Sequence, residues 1–148
     1  MNSPVPTVVD AVPELRPGAV TRTTLALFAG ASGDHNPIHI DIDSARASGM
    51  DDVFAHGMLS MAYLGRLLTD WIPQSRIREL STRFTAITPV LAEPVLNATI
   101  EKIETVDGEQ RAVLDLNVVL ADGTRTLTGT AVVAWPESHS AEDEKLVP

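Results

Sequence analysis

The sequence predicts a single α+β domain in which a curved antiparallel sheet wraps around one long helix. Apolar residues recur at helical spacing between Gly57 and Trp71, and Pro73 follows where the helix should end. Four segments rich in Val, Ile, Thr and Leu come next, at residues 77–87, 95–106, 111–120 and 124–135. Because a helix this apolar has to be buried, we expect the sheet to pack against it.

The turns predict how the strands pair. Asp107-Gly108 and Asp122-Gly123 separate neighbouring strands, and Asp-Gly is a strong hairpin signal. We therefore predict a meander with the strands in chain order. Ahead of the long helix, Thr23 or Thr24 is expected to cap a short helix that ends by Gly33, and residues 44–48 are expected to form one or two helical turns.

Length and composition favour one domain, over residues 18–136. The chain has 148 residues and is 44% hydrophobic, which is enough for a real core. Residues 1–17 contain four prolines and predict an extended segment, with one short strand near residues 7–9. Residues 137–148 are polar and acidic, and a disordered tail is expected there.

Charge and cysteine content exclude several classes of protein. The net charge of −9 argues against nucleic acid or an anionic membrane as a partner, because both need clustered Lys and Arg. The absence of cysteine excludes disulfides, thiolate catalysis and cysteine-based metal sites. No apolar segment approaches the roughly 18 residues of a membrane span. We expect a soluble cytoplasmic protein.

The segment Gly33-Asp34-His35-Asn36-Pro37-Ile38-His39 carries the strongest chemical signal. Asp34 and His39 lie five residues apart across an Asn-Pro turn, and acid–base chemistry on a water needs two such groups held rigidly. Apolar Ile38 and Ile40 flank His39, which predicts a partly desolvated imidazole. The simpler alternative is that this segment is only a turn, in which the Asp34 side chain stabilises the turn and His39 is a buried polar group. Asp34, His35 and His39 do not have a usual zinc spacing, so neither a metal ion nor another cofactor is expected.

The wider pattern resembles the MaoC-like family of (R)-specific enoyl-CoA hydratases and 3-hydroxyacyl thioester dehydratases, also called hydratase 2. The resemblance covers residues 14–136 and rests on three blocks: Phe28-Ala29-Gly30 with Ser32-Gly33-Asp34, Asn36-Pro37-Ile38-His39 and Asp41; Ala55-His56-Gly57-Met58-Leu59; and Arg83-Phe84-Thr85-Ala86 with Pro89-Val90. It implies a hot-dog fold, close to that of small single-domain dehydratase subunits.

The resemblance also implies an activity and residue roles. The reaction would be reversible hydration of trans-2-enoyl thioesters, carried on CoA or acyl carrier protein, to (3R)-3-hydroxyacyl thioesters. Asp34 and His39 would activate the water. Asn36 would support the loop beside the thioester, and the backbone N–H of Gly57 would bind the thioester carbonyl. The chain departs from some members in having Gly65 where they carry a serine.

Four further residues are candidates for lining the substrate site, and each has a plainer alternative. His56 would shape the thioester pocket, or pack and form hydrogen bonds at the start of the long helix. Ser60 would line the acyl pocket, or bond to the helix backbone. Tyr63 is more often a core residue than a ligand contact. Arg83 would approach the pantetheine or a phosphate, or remain a solvated strand residue.

Two other functions are compatible with the implied fold. A hot-dog acyl-thioesterase would not need Asp34 and His39 at this spacing. One subunit of a heteromeric dehydratase is the other alternative, and an inactive subunit would be expected to lack one of these two residues. We expect a homodimer, or the active half of a hetero-oligomer with another hot-dog subunit, because edge strands need covering.

Overall fold

A computed structural model describes residues 12–135. It contains three α-helices and four strands: α1 (Arg22–Ser32), α2 (Ile42–Ala47), α3 (Gly57–Trp71), β1 (Ile77–Phe84), β2 (Val95–Val106), β3 (Glu109–Val119) and β4 (Arg125–Ala134). Short 3₁₀ turns span Pro37–His39 and Gln74–Arg76. The strand expected near residues 7–9 and the tail expected at 137–148 lie outside the described residues.

Helix α3 has the bounds that the sequence predicts, and one side of it packs against the sheet. Leu64, Leu67 and Leu68 are buried against the sheet in the main core, while Leu59 belongs to a second, smaller apolar cluster with Leu25 of α1. Val12 packs on the main core as well, so residues 12–17 are extended but attached to the domain. None of the helices in residues 12–135 has the length and apolar character that crossing a bilayer requires.

The sheet corrects the predicted meander. Its order is β1-β4-β3-β2, and each neighbouring pair is antiparallel. Strands β2, β3 and β4 do form a meander, but β1 pairs with β4 and not with β2. The reason lies in residues 85–94, which contain two prolines and no hairpin signal. This connection carries the chain from one edge of the sheet to the other.

Strand β1 is shorter than predicted and ends at Phe84. The N–H groups of Thr85 and Ala86 both donate to the carbonyl of Thr126, at 2.9 and 3.3 Å. The regular hydrogen-bond ladder between β1 and β4 therefore ends there. Thr88 lies beyond the ladder, and its carbonyl accepts the N–H of Ala55 at 2.9 Å. Residues 85–88 therefore form a wall beside α3 and do not extend the sheet.

The hairpin predicted at Asp107-Gly108 is confirmed, but the residue predicted to cap α1 is wrong. Asp107 and Gly108 have φ of 51° and 81°, the left-handed pair that a two-residue hairpin needs. The cap of α1 is Thr21, however, and not Thr23 or Thr24. Thr21 has an extended backbone and its hydroxyl accepts the Thr24 N–H at 3.1 Å, which the later threonines cannot do from inside the helix.

Candidate active site

The loop between α1 and α2 is held by its own side chains. Gly33 ends α1 with φ of 77°, a left-handed backbone that favours glycine. The Asp34 carboxylate accepts the Asn36 N–H at 3.3 Å, and the Asn36 side chain accepts the Ile38 N–H at 3.3 Å. Asn36 therefore caps the turn that presents His39. Asp34 is exposed, so its carboxylate contacts solvent while it also accepts the hydrogen bond that stabilises the turn.

His39 is buried, with 8% of its surface exposed. Its Nδ1 lies 2.8 Å from the carbonyl oxygen of Phe54. Because a carbonyl can only accept, the neutral ring donates from Nδ1 and keeps a lone pair on Nε2. Ile40 is itself 47% exposed, so the expected shielding by flanking isoleucines is incomplete. The rings of Phe54 and His56, with centroids 4.9 and 4.0 Å from that of His39, cover the imidazole instead.

His56 lies directly behind His39. The two rings are stacked, with an angle of 29° between their planes. His56 Nε2 lies 3.1 Å from the backbone carbonyl of Asp34, and the Phe28 ring packs edge-on at 5.0 Å. Burial lowers the pKa of His56 from its ordinary value, and the neighbouring His39 lowers it further. Hydrogen bonding to the Asp34 carbonyl and the Asp34 charge oppose this, without reversing the direction.

Asp34, His39 and His56 together bring one carboxylate oxygen and two ring nitrogens within 4.8 Å of one another. A metal ion is one possible occupant of such a group, and the sequence had pointed to His35 as its third member. In the structure His56 takes that place. The protein already bonds His39 Nδ1 and His56 Nε2, which leaves fewer free ligand atoms, and the absence of a resident metal stays a prediction.

A cavity of about 340 Å³ opens next to His39. Its wall is mainly apolar and combines the start of α3 with the end of β1 and the segment that follows: His39, Phe54, Ala55, Gly57, Ser60, Phe84, Thr85, Ala86, Ile87, Thr88 and Leu127. Cavities of this size hold small organic ligands. Gly57 is the first residue of α3, where backbone N–H groups have no partner within the helix and the helix dipole is positive.

The candidate lining residues divide into two groups. Ser60 and Gly57 both line the cavity, and Ser60 is buried. The Phe84 ring lies close to the Gly57 backbone, 3.0 Å from the position that a Cβ on residue 57 would take. Tyr63 lies elsewhere: it packs between the two apolar clusters, and burial raises its pKa. Arg83 is exposed on β1, outside the cavity wall.

Two contributors to the site were not singled out from the sequence. The carbonyl of Phe54 sets the tautomer of His39, and a backbone atom leaves no signal in the residue types. Thr88 is buried in the cavity wall, although nothing in the sequence distinguishes it between the predicted strand at residues 77–87 and Pro89. For Phe84 a signal existed, because it belongs to the third block of the family pattern.

Comparison with known proteins gives a consistent result. A family profile described as MaoC like domain matches residues 5–123. The chain is 28% identical over 112 residues to an (R)-specific enoyl-CoA hydratase of Aeromonas caviae, covering 76% of this chain and 84% of that protein. It is 29% identical over 119 residues to fatty acid synthase subunit beta of Saccharomyces cerevisiae, of which it spans only 6%.

Solved structures confirm the fold. The (R)-hydratase from A. caviae involved in PHA biosynthesis superposes with a TM-score of 0.74 at 24% identity, covering 86% of this chain and 98% of that one. A structure described as the ChsH1-ChsH2 complex from Mycobacterium tuberculosis gives a TM-score of 0.72 at 20% identity, with coverage of 86% and 96%. These similarities confirm the hot-dog architecture that the sequence resemblance implied.

Proposed function

The chain belongs to the MaoC-like family, and from that premise we propose that it interconverts trans-2-enoyl and (3R)-3-hydroxyacyl thioesters by adding or removing water. CoA or acyl carrier protein would carry the acyl group. The names of the similar hydratase and the family profile support the reaction class. The observation that carries the proposal is the placement of His39 in the wall of an apolar cavity, with a carboxylate oxygen of Asp34 within 4.8 Å of one of its ring nitrogens.

We propose that one water contacts both groups. A carboxylate oxygen of Asp34 and a ring nitrogen of His39 lie within 4.8 Å of each other, a separation that a water with hydrogen bonds of about 2.8 Å would span. His39 keeps a lone pair on Nε2, because Nδ1–H is committed to the Phe54 carbonyl. Asp34 offers a carboxylate that solvent reaches. Both groups are therefore able to accept a proton from that water.

In the proposed hydration step, the water oxygen forms a bond to C3 of the enoyl thioester as the Asp34–His39 pair takes up its proton. The electrons of the C2–C3 double bond move toward the thioester carbonyl, whose oxygen gains negative charge. The pair then returns a proton to C2, which gives the 3-hydroxyacyl product. Dehydration follows the same path in reverse.

The first turn of α3 is suited to the charge that develops on the carbonyl oxygen. The Gly57 N–H is one of the helix N–H groups without an internal partner, and Gly57 lies in the cavity wall. Donors placed where charge develops in the transition state contribute more than donors to the ground-state carbonyl. The absence of a side chain at Gly57 leaves room for a close approach.

A second hot-dog subunit is part of the proposal. Phe84 and Ile87 line the cavity and are 51% and 45% exposed, and Met58 of α3 is 53% exposed. Strand β1 is an edge of the sheet in the described residues. An identical or related subunit covering this side would bury both the apolar side chains and the edge. Sedimentation of the active protein as a monomer at assay concentration would refute the pairing.

The reaction is tested with purified protein and crotonyl-CoA, octenoyl-CoA and bulky enoyl-CoAs, by following loss of the enoyl thioester absorbance. Chiral analysis of the product is expected to give the 3R alcohol. A thiol reagent in a parallel assay detects free CoA. Release of CoA without a hydroxyacyl product would show a thioesterase, and a 3S product would contradict the proposed stereochemistry.

A further inference from the structure

His56 connects the two halves of the site. Its side chain is 1% exposed and lies between the rings of Phe28 and His39. Its Nε2–H donates to the backbone carbonyl of Asp34, since that oxygen can only accept. In the chain it directly precedes Gly57, the first residue of α3. One residue thus contacts both groups proposed to handle the water and is covalently joined to the proposed carbonyl-binding N–H.

We propose that His56 is a positioning residue, which fixes the Asp34 backbone and the His39 ring plane relative to the first turn of α3. This inference rests on the proposed function. His56 does not line the cavity, so it would act through Asp34 and His39 and not by touching substrate.

Packing alone explains His56 poorly. Its Nδ1 is buried and has no hydrogen-bond partner in residues 12–135. Leaving such a buried atom unpaired is destabilising, and the ring contacts with Phe28 and His39 do not require it. A phenylalanine would keep the ring contacts without that cost. What the imidazole supplies and phenylalanine lacks is the N–H that reaches the Asp34 carbonyl.

The surroundings of the ring are compatible with this role. Burial lowers the pKa of His56, and the adjacent His39 lowers it further, which favours the neutral ring. A neutral ring with Nε2–H donates to the Asp34 carbonyl. A loss of position is costly in such a site, because displacement of a reacting group by about 1 Å lowers the rate about 10²-fold.

Two substitutions separate the ring from the donor. His56→Phe keeps the stacked ring and removes the N–H, and His56→Gln keeps an N–H at a similar reach and removes the ring. In the enoyl-CoA assay we expect kcat of His56→Phe to fall about 10²-fold with KM close to the wild-type value. His56→Gln should recover a substantial part of kcat. Thermal unfolding of both variants measures the structural cost separately.

Three results overturn the inference: equal kcat in His56→Phe and wild type, equal losses in both variants, or losses that only track the unfolded fraction. An inactive wild-type protein would instead refute the proposed function. Nitrogen NMR of the imidazole rings tests the geometry independently of activity. We expect neutral His56 as the Nε2–H tautomer, and an Nδ1–H tautomer would also overturn the inference.

Discussion

The two ends of helix α3 have opposite surroundings. At its start, His56 and Gly57 adjoin the loop of Asp34 and an open cavity, and His56 Nδ1 is buried with no hydrogen-bond partner among residues 12–135. Further along, Leu64 and Leu68 are fully buried against the sheet. Burying one leucine stabilises the fold by about 1.5–3 kcal/mol, against about 1–3 kcal/mol for one unpaired buried polar atom. The stabilisation from the buried leucines therefore offsets the destabilisation from the unpaired nitrogen at the start of the helix.

This difference predicts that activity and stability respond to different ends of the helix. Substitutions around its first turn should change turnover with little effect on unfolding. Substitutions in its later turns should do the reverse.

Asp34→Asn should lower kcat by about 10²–10⁴-fold, because it removes a proton acceptor from the water-activating pair. The unfolding temperature should stay near that of the wild type, since Asp34 is exposed and asparagine still accepts the Asn36 N–H. Combining it with His39→Gln should add little beyond the worse single variant, as in other groups that act as a unit.

His35→Ala is the matched control for Asp34→Asn, because His35 is an exposed residue of the same loop and has no role in the proposed reaction. Its kcat should be close to the wild-type value. A comparable loss in His35→Ala, or near-normal turnover in folded Asp34→Asn, would show that the pair is wrongly assigned.

Leu64→Ala should lower the free energy of unfolding by about 2–5 kcal/mol, because it opens a cavity in the main core. Activity per folded molecule should be preserved at temperatures well below unfolding. Leu27→Ala on α1 removes the same atoms from a side chain that is 70% exposed, and it should change stability by no more than about 0.5 kcal/mol. Chemical denaturation gives both values, and similar losses would contradict the assignment of the core.

Gly65→Ala and Gly57→Ala compare one substitution at two places in α3. Outside the backbone of its own helix and its two chain neighbours, no atom of the described residues lies within 4 Å of a Cβ added at Gly65, so alanine should stabilise the helix by about 0.4–1 kcal/mol. At Gly57 the added Cβ lies 3.0 Å from the Phe84 ring, which must move. Gly57→Ala should therefore gain less stability and lose catalytic efficiency. Equal gains with unchanged kinetics at Gly57 would place the carbonyl-binding group elsewhere.

The smallest expected effect concerns the pH dependence of stability. The pKa of His56 lies below its ordinary value of 6.5 in the folded protein, through burial and through His39. Below about pH 6.5, His56 therefore binds a proton more readily in the unfolded chain than in the folded protein. Acidification consequently lowers the free energy of unfolding. Between about pH 7 and pH 5, wild type should lose more unfolding free energy than His56→Gln. Parallel curves would show that His56 titrates normally.

The sequence predicted the parts of the fold that local patterns determine. The apolar period and Pro73 gave the bounds of α3, and Asp107-Gly108 gave the hairpin between β2 and β3. The pairing of β1 with β4 joins residues about 50 positions apart, for which a local pattern carries no information. The cap of α1 was misplaced because Thr21, Thr23 and Thr24 all lie near the start of the helix, and of these three Thr21 has the extended backbone of a cap residue.

For the site, the family pattern identified Asp34, His39 and Gly57 as candidates, and the structure places them around one region. The contacts between residues within that region could not be predicted from the sequence. The contact of His39 with the Phe54 carbonyl and its stacking on His56 depend on how two loops meet. A pattern of residue types does not describe the direction of a carbonyl or the plane of a ring.

The wall formed by residues 85–88 has a consequence for how this protein can change its substrate. These residues have left the ladder of β1 and β4, yet they line the cavity. We therefore expect a new side chain at Ile87 to alter the shape of the cavity while every strand pair keeps its register. Along residues 85–88, cavity shape can vary without disturbing the assembly of the sheet.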